Sequence, residues 1–243
     1  MELIWFVIFA VLLAGYFALE GFDLGVGLLM LGRPQERRDR MVAAMAPYVL
    51  ANEVWLVAVA GALFGVYPML EGPVLFGLYP IVVAMLLSWV LRDAGLWFRR
   101  RMDGAGWRSF WDLMITLGSL GLSVGWGVAL YAAATGFTAS LLHPLGLGLG
   151  ALLAVVFAVH GQAFLNWREG GKAARLLLTG LAAAAPVIAL LIGSAGFLIA
   201  SSAAGSSLNV LSFMVLPFAP IMVGAQVWVW RTFRGAIRTP SFF

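Results

Sequence analysis

Four carboxylic side chains stand inside stretches that are otherwise apolar: Glu20 and Asp23 in LEGFDLGVG (19–27), Glu53 in LANEVWLVAV (50–59) and Asp112 in WRSFWDLMIT (107–116). An ionised group in the middle of a bilayer costs at least about 2.5–3.5 kcal/mol on insertion scales. Acids kept there face a bundle interior or a water path, usually with a partner. Glu20 and Asp23, at i and i+3, share one face of a helix. Desolvation penalises the charged form of a carboxyl, so buried acids of this kind can hold protons near neutral pH and pass them on. The chemistry to look for is therefore proton transfer.

The elements that carry these acids are membrane spans. The 243-residue chain is 63% hydrophobic and 11% charged, with a mean hydropathy of +0.98. Soluble globules are roughly a quarter charged, and a span needs about 20 mostly apolar residues. Seven candidates follow, at 3–31, 43–68, 73–93, 109–133, 144–167, 174–200 and 208–231, with short connections between them. The expected fold is an all-α polytopic helix bundle forming one transmembrane domain over 1–243. The first segment lacks a basic start and a small-residue cleavage site, so it reads as a span and not as a cleaved signal peptide.

The basic residues orient the bundle. Arg33, Arg37, Arg38 and Arg40 follow span 1; Arg92, Arg99, Arg100, Arg101 and Arg108 follow span 3; Arg168, Lys172 and Arg175 follow span 5; Arg231, Arg234 and Arg238 follow span 7. The connections after spans 2, 4 and 6 hold none of the 15. Excess Lys and Arg mark the cytoplasmic side, which predicts an outside N-terminus and a cytoplasmic C-terminus. A nucleic-acid surface is excluded, because the charges are divided among four short connections. With this orientation all four intramembrane acids lie in the cytoplasmic half. Most of the remaining acids (Glu2, Glu36, Asp39, Glu71, Asp103 and Glu169) lie at ends and loops, and Asp93 ends span 3 beside Arg92.

Each acid also has a structural reading. Asp112 either caps its helix or pairs with Arg108 at i−4, and is the weakest member of the proton path. Glu53 either hydrogen-bonds Asn52 or another helix, or takes part in the path. The pairs Gly21/Gly25, Gly121/Gly125 and Gly146/Gly150 suit close helix packing. Pro217 and Pro220 are expected to bend the last span.

Other chemistries find no support. There are no cysteines, so thiolate sites are excluded. His143 and His160 lie seventeen residues apart on one predicted span, an arrangement unsuited to several haems. His160 with Gln162 reads as an interhelical hydrogen-bonding pair, and the ten methionines read as core. No phosphate loop, dinucleotide fingerprint or hydrolase motif is present. This chain is expected to bind no metal or cofactor itself.

Several motifs taken together resemble subunit II of the cytochrome bd quinol oxidases. They are GFDLGVG (21–27) with the basic RPQERRDR (33–40), MAPYVLANEVWLVAVAGALFGVYP (45–68), LRDAGLWFRRR (91–101), WRSFWD (107–112) with GSL (118–120), HPLGLGLG…VHGQAFL (143–165) and WVWRTFRGAI (228–237). The resemblance implies a prokaryotic inner-membrane respiratory enzyme. A haem-bearing subunit I would be the partner, holding two b haems, one d haem and the quinol site, with oxygen reduced to water. Subunit II would contribute a cytoplasmic proton path through Glu20, Asp23, Asn52 and Glu53. A small single-helix accessory subunit and a structural quinone or lipid belong to the same expectation. Two departures stand out. Leu50 occupies a position that is an intramembrane Asp in many members, and Glu53, three residues on, is the candidate substitute. The chain is also short for the family, with the region between spans 6 and 7 reduced. The competing readings are an ion-coupled transporter or channel using Glu20, Asp23 and Glu53, and a purely structural anchor.

Overall fold

The computed structural model describes residues 1–235, so Arg238 and the end of the WVWRTFRGAI stretch lie outside the described residues. Every regular element among the described residues is a helix: α1 (Glu2–Leu29), α2 (Gln35–Val66), α3 (Pro68–Gly77), α4 (Tyr79–Phe98), α5 (Ala105–Ala134), α6 (Pro144–Arg168), α7 (Ala173–Ala200), α8 (Gly205–Val215), a 3₁₀ turn (Leu216–Phe218) and α9 (Ala219–Phe233). Seven of the described helical segments are long and apolar enough to cross a membrane, with α8 through α9 counting as one. The all-helical bundle expected from hydropathy is the fold observed.

The third span differs from its predicted range. A break at Leu78, before the Tyr79–Pro80 pair, splits the expected 73–93 segment into the short α3, which runs through Pro73, and an α4 that continues to Phe98. Proline removes a backbone donor and favours a helix start, which is why the boundary falls at Tyr79. The consequence is chemical: Arg92, counted from sequence with the basic residues at the inner end of the third span, lies more than a turn inside α4 and is 1% exposed. Pro217 and Pro220 interrupt the last span at the 3₁₀ turn, as expected.

Helix α1 occupies the middle of the bundle and packs on α2, α5, α6 and α7, while α4 lies along α5 and α9 along α2. Glycines set these distances. A Cβ on Gly25 would overlap the Phe157 carbonyl and stand 2.8 Å from the Gly161 nitrogen of α6, so the two backbones touch directly. Gly21 faces the Phe157 ring, Gly125 faces Met85 of α4, and Gly150 meets Val124 and Gly127 of α5. Gly146 meets the Tyr131 ring, and Gly121 meets Ser88 of α4. Without a strong hydrophobic force between helices in lipid, such close approach is the main source of packing energy. Trp5, Phe9, Phe17, Phe157 and Val187 fill the core between α1, α6 and α7.

Candidate functional site: two charged groups of opposite balance

The basic connections gather at one end of the bundle. Arg37 Nη1 of α2 donates to Glu169 Oε1, after α6, at 3.1 Å, and Arg99 Nη2 donates to Asp39 Oδ1 at 2.8 Å. Above this end, in the apolar interior, lies the first charged group. Arg92 of α4 donates through Nη1 to Glu20 Oε1 of α1 and through Nη2 to Glu53 Oε1 of α2. Its Nε donates to Asp93 Oδ1 at 3.0 Å. Glu53 Oε1 also accepts from Trp89 Nε1 at 2.9 Å. Asp23 has no cation of its own; its Oδ2 accepts from Asn52 Nδ2 at 2.7 Å. Glu20, Asp23 and Arg92 are each 1% exposed and Asn52 is fully enclosed. Glu20 Oε2 and Asp23 Oδ1 are buried with no hydrogen-bond partner among the described residues.

The local reasons are plain. Glu20 and Asp23 stand one turn apart in α1, and both look away from the glycine face that packs on α6. Asn52 and Glu53 are neighbours on α2, where the helix turns one toward Asp23 and the other toward Arg92. The sequence-predicted Glu20, Asp23, Asn52 and Glu53 are thus brought together. Glu53 bonds α4 and not Asn52.

Asp112 belongs to a second group at the basic end. Its Oδ1 accepts from Arg99 Nε at 2.9 Å and stands 2.8 Å from Arg99 Nη2 in an ion pair. Its Oδ2 accepts from Arg38 Nη1 (3.0 Å) and Gln35 Nε2 (3.2 Å). The expected Arg108 pairing is not formed: Arg108 turns to Asp39, at 3.8 Å, and Asp39 also meets Arg100 at 3.6 Å. A carboxylate offers about four lone-pair sites, and Asp112 has donors on three of them and a further guanidinium nitrogen in ion-pair contact. This group joins the start of α2, the end of α4 and the start of α5.

The histidines sit elsewhere. His160 bonds Thr179 Oγ1 and the Ala18 carbonyl, both at 2.8 Å, and so commits both ring nitrogens. The expected His160–Gln162 pair is absent, because Gln162 donates to Asn166, one turn on, at 2.8 Å. His143 caps α6, accepting from the Leu145 nitrogen at 3.2 Å, and stacks on Tyr131. Leu50 is 61% exposed and stands outside the buried group.

Comparison with known proteins identifies the family. The family model for cytochrome bd terminal oxidase subunit II matches residues 1–203. The chain belongs to the cytochrome bd terminal oxidase subunit II family. The chain is 32% identical over 189 residues to the cytochrome bd-I ubiquinol oxidase subunit 2 of Escherichia coli K12, covering 71% of this chain and 50% of that protein. It is 39% identical over 119 residues to the cytochrome bd ubiquinol oxidase subunit 2 of Bacillus subtilis 168, covering 48% of this chain and 35% of that protein. A probable cytochrome oxidase subunit 2 of Haemophilus influenzae is 30% identical over 186 residues, covering 70% of this chain and 48% of that protein. The chain spans about half the length, or less, of the curated relatives it matches.

For this subunit II family member, sequence reading missed two participants. Arg92 was read as a topology signal because it sits near the end of an apolar run beside Asp93. The signal available was its spacing: five residues stand between it and Phe98, more than one helical turn. Gln226 was missed because it is a lone amide in the otherwise apolar stretch from Ile221 to Trp230. It is the one buried residue of α9.

Proposed function

We propose that this chain is the non-haem subunit II of a bd-type quinol:oxygen oxidoreductase in a prokaryotic inner membrane. It forms a single domain over 1–243 with its N-terminus outside and its basic end in the cytoplasm. A haem-bearing subunit I would supply the b and d haems that oxidise quinol and reduce oxygen, and this chain would supply protons to that reaction. A single-helix accessory subunit and a bound quinone or lipid remain part of the proposal on family resemblance alone.

The observation that carries the reading is the charge count of the inner group. One guanidinium faces three enclosed carboxyls, Glu20, Asp23 and Glu53, with Asp93 at the rim. Uncompensated buried charge is expensive, and a group neutralises before it is buried bare. Protons are the simplest compensation, and Glu20 Oε2 and Asp23 Oδ1 are open positions to take them. Asp112, saturated by Arg99, Arg38 and Gln35, is better suited to locking helices than to carrying protons. The route we infer runs from the basic end to Asp23, then Glu20 and Glu53. Glu53 lies at the edge of the group, 8% exposed, and is the exit toward the partner.

The test is quinol-driven oxygen consumption by the two-subunit complex. Glu20→Gln, Asp23→Asn and Glu53→Gln should each leave co-purification and haem content intact while lowering turnover about tenfold or more, in the range of lost proton-transfer groups. Unchanged turnover in all three would leave the structural-anchor reading. Proton conduction by this chain alone in liposomes would favour the transporter or channel.

A further inference from the structure

Asp23 is aimed by a chain of side chains that ends on α9, beyond the part of the sequence matched by the family model. Trp55 Nε1 donates to Gln226 Oε1 at 3.2 Å. Gln226 Nε2 donates to Asn52 Oδ1 at 2.9 Å. Asn52 Nδ2 donates to Asp23 Oδ2 at 2.7 Å, and to the Leu19 carbonyl at 3.3 Å.

The direction of this chain is fixed by chemistry. An indole N–H can only donate. Gln226 must therefore turn its oxygen to Trp55 and its NH2 to Asn52. Asn52 must then turn its oxygen to Gln226 and its NH2 to Asp23. Neither amide can flip without setting two donors or two acceptors against each other, a fault that is costly when buried. Trp55 is itself held, because its ring lies against Gly15 of α1, where a Cβ would overlap it.

We infer that Trp55 and Gln226 are positioning residues that, through Asn52, determine which oxygen of Asp23 takes the proton. Oδ2 always faces an N–H. An incoming proton is therefore accepted at Oδ1, the oxygen with no partner. A hydronium ion gives up the proton and is left as water, and the carboxylate becomes a carboxylic acid with its O–H at Oδ1. Release of that proton to the next acceptor restores the carboxylate. The titratable groups around Asp23 are Glu20 of the same helix, Glu53 and Tyr48 of α2 and Arg92 of α4. From α6 the nearby titratable group is His160, bound to Ala18 and Thr179. From α9 the chain meets only the neutral Gln226. A cavity of about 340 Å³ lined by Trp167, Gln226, Trp230, Arg231 and Arg234 opens on the other side of that amide.

The inference rests on the proton-path reading, but its test can fail separately. In the two-subunit complex, the carboxyl C=O stretch that disappears in Asp23→Asn reports the hydrogen bonding of Asp23 directly. Trp55→Phe keeps the ring and removes only the N–H. It should shift or split that band, displace the pH profile of oxygen consumption and lower turnover by about three- to tenfold, the span of one hydrogen bond. Gln226→Leu should do the same, and the double variant should be no worse than Gln226→Leu alone. Val223→Ala, on the exposed side of α9, should leave both readouts unchanged. A wild-type band and pH profile in Trp55→Phe, or additive losses in the double variant, would overturn the inference. Should Gln226→Leu fail to assemble, Trp55→Phe still decides. If Asp23→Asn turns over normally, Asp23 leaves the proton path, while the band in Trp55→Phe still decides the orientation of Asp23.

Discussion

The inner group and the group at the basic end use the same residue types and do opposite things with them. Around Arg92 one cation serves Glu20 and Glu53, with Asp23 held only by an amide. Around Asp112 and Asp39 four guanidinium groups, from Arg38, Arg99, Arg100 and Arg108, serve two carboxylates. A shortage of cations leaves carboxyl oxygens that can take protons. An excess of cations puts a donor on both oxygens of Asp112 and leaves a fixed anion. The difference between storing protons and fastening helices is therefore one of stoichiometry, not of residue type or burial: Glu20 and Asp112 are 1% and 2% exposed.

The sharpest way to break this contrast is to remove the scarce cation. Arg92→Leu strands Glu20 and Glu53 in the interior, and losing one partner of a buried pair costs about 3–5 kcal/mol. Thermal unfolding of the purified complex should show the largest loss of any single change, together with loss of turnover. Removing one of the abundant cations should cost less. Arg99→Leu leaves Arg38 and Gln35 on Asp112, so a loss of about 2 kcal/mol is expected, below the full buried-pair penalty. Turnover per assembled complex should stay near wild type. Reduced turnover in an assembled Arg99→Leu complex would join Asp112 to the proton path and dissolve the contrast. The smallest effect belongs to the outermost pair. Glu169→Gln breaks a bond to Arg37 between side chains that are 49% and 37% exposed, and should change stability by about 0.2–1 kcal/mol.

The broad plan was legible because hydropathy and charge placement are properties of the chain itself. Seven apolar runs and basic residues confined to alternate connections gave the fold, and the helical spacing of Glu20 and Asp23 placed them together. What was not legible depended on pairings between distant segments. Arg92 looks like one more basic residue at the end of the third span until a helix from Tyr79 to Phe98 sets it more than a turn from that end. Arg108 is four residues from Asp112, yet Arg99, on another helix, holds it instead. Gln226 is separated from Asn52 by 174 positions, and no local period marks it. His160 found its partners on α1 and α7, where sequence proximity had pointed to Gln162.

The contact of Gly25 with the α6 backbone has a consequence for aim as well as for packing. Each residue of an α-helix advances about 100° around the axis. Gly21 and Gly25 lie nearly in line with each other, and Asp23, about 200° from each, lies on the far side. A helix whose backbone is seated against another backbone along one narrow stripe cannot roll. The glycines thus act as an angular index for α1: they set the bearing of Asp23 toward Asn52 and, with it, of Glu20 toward Arg92. A larger residue at position 25 would turn the compass as well as widen the gap.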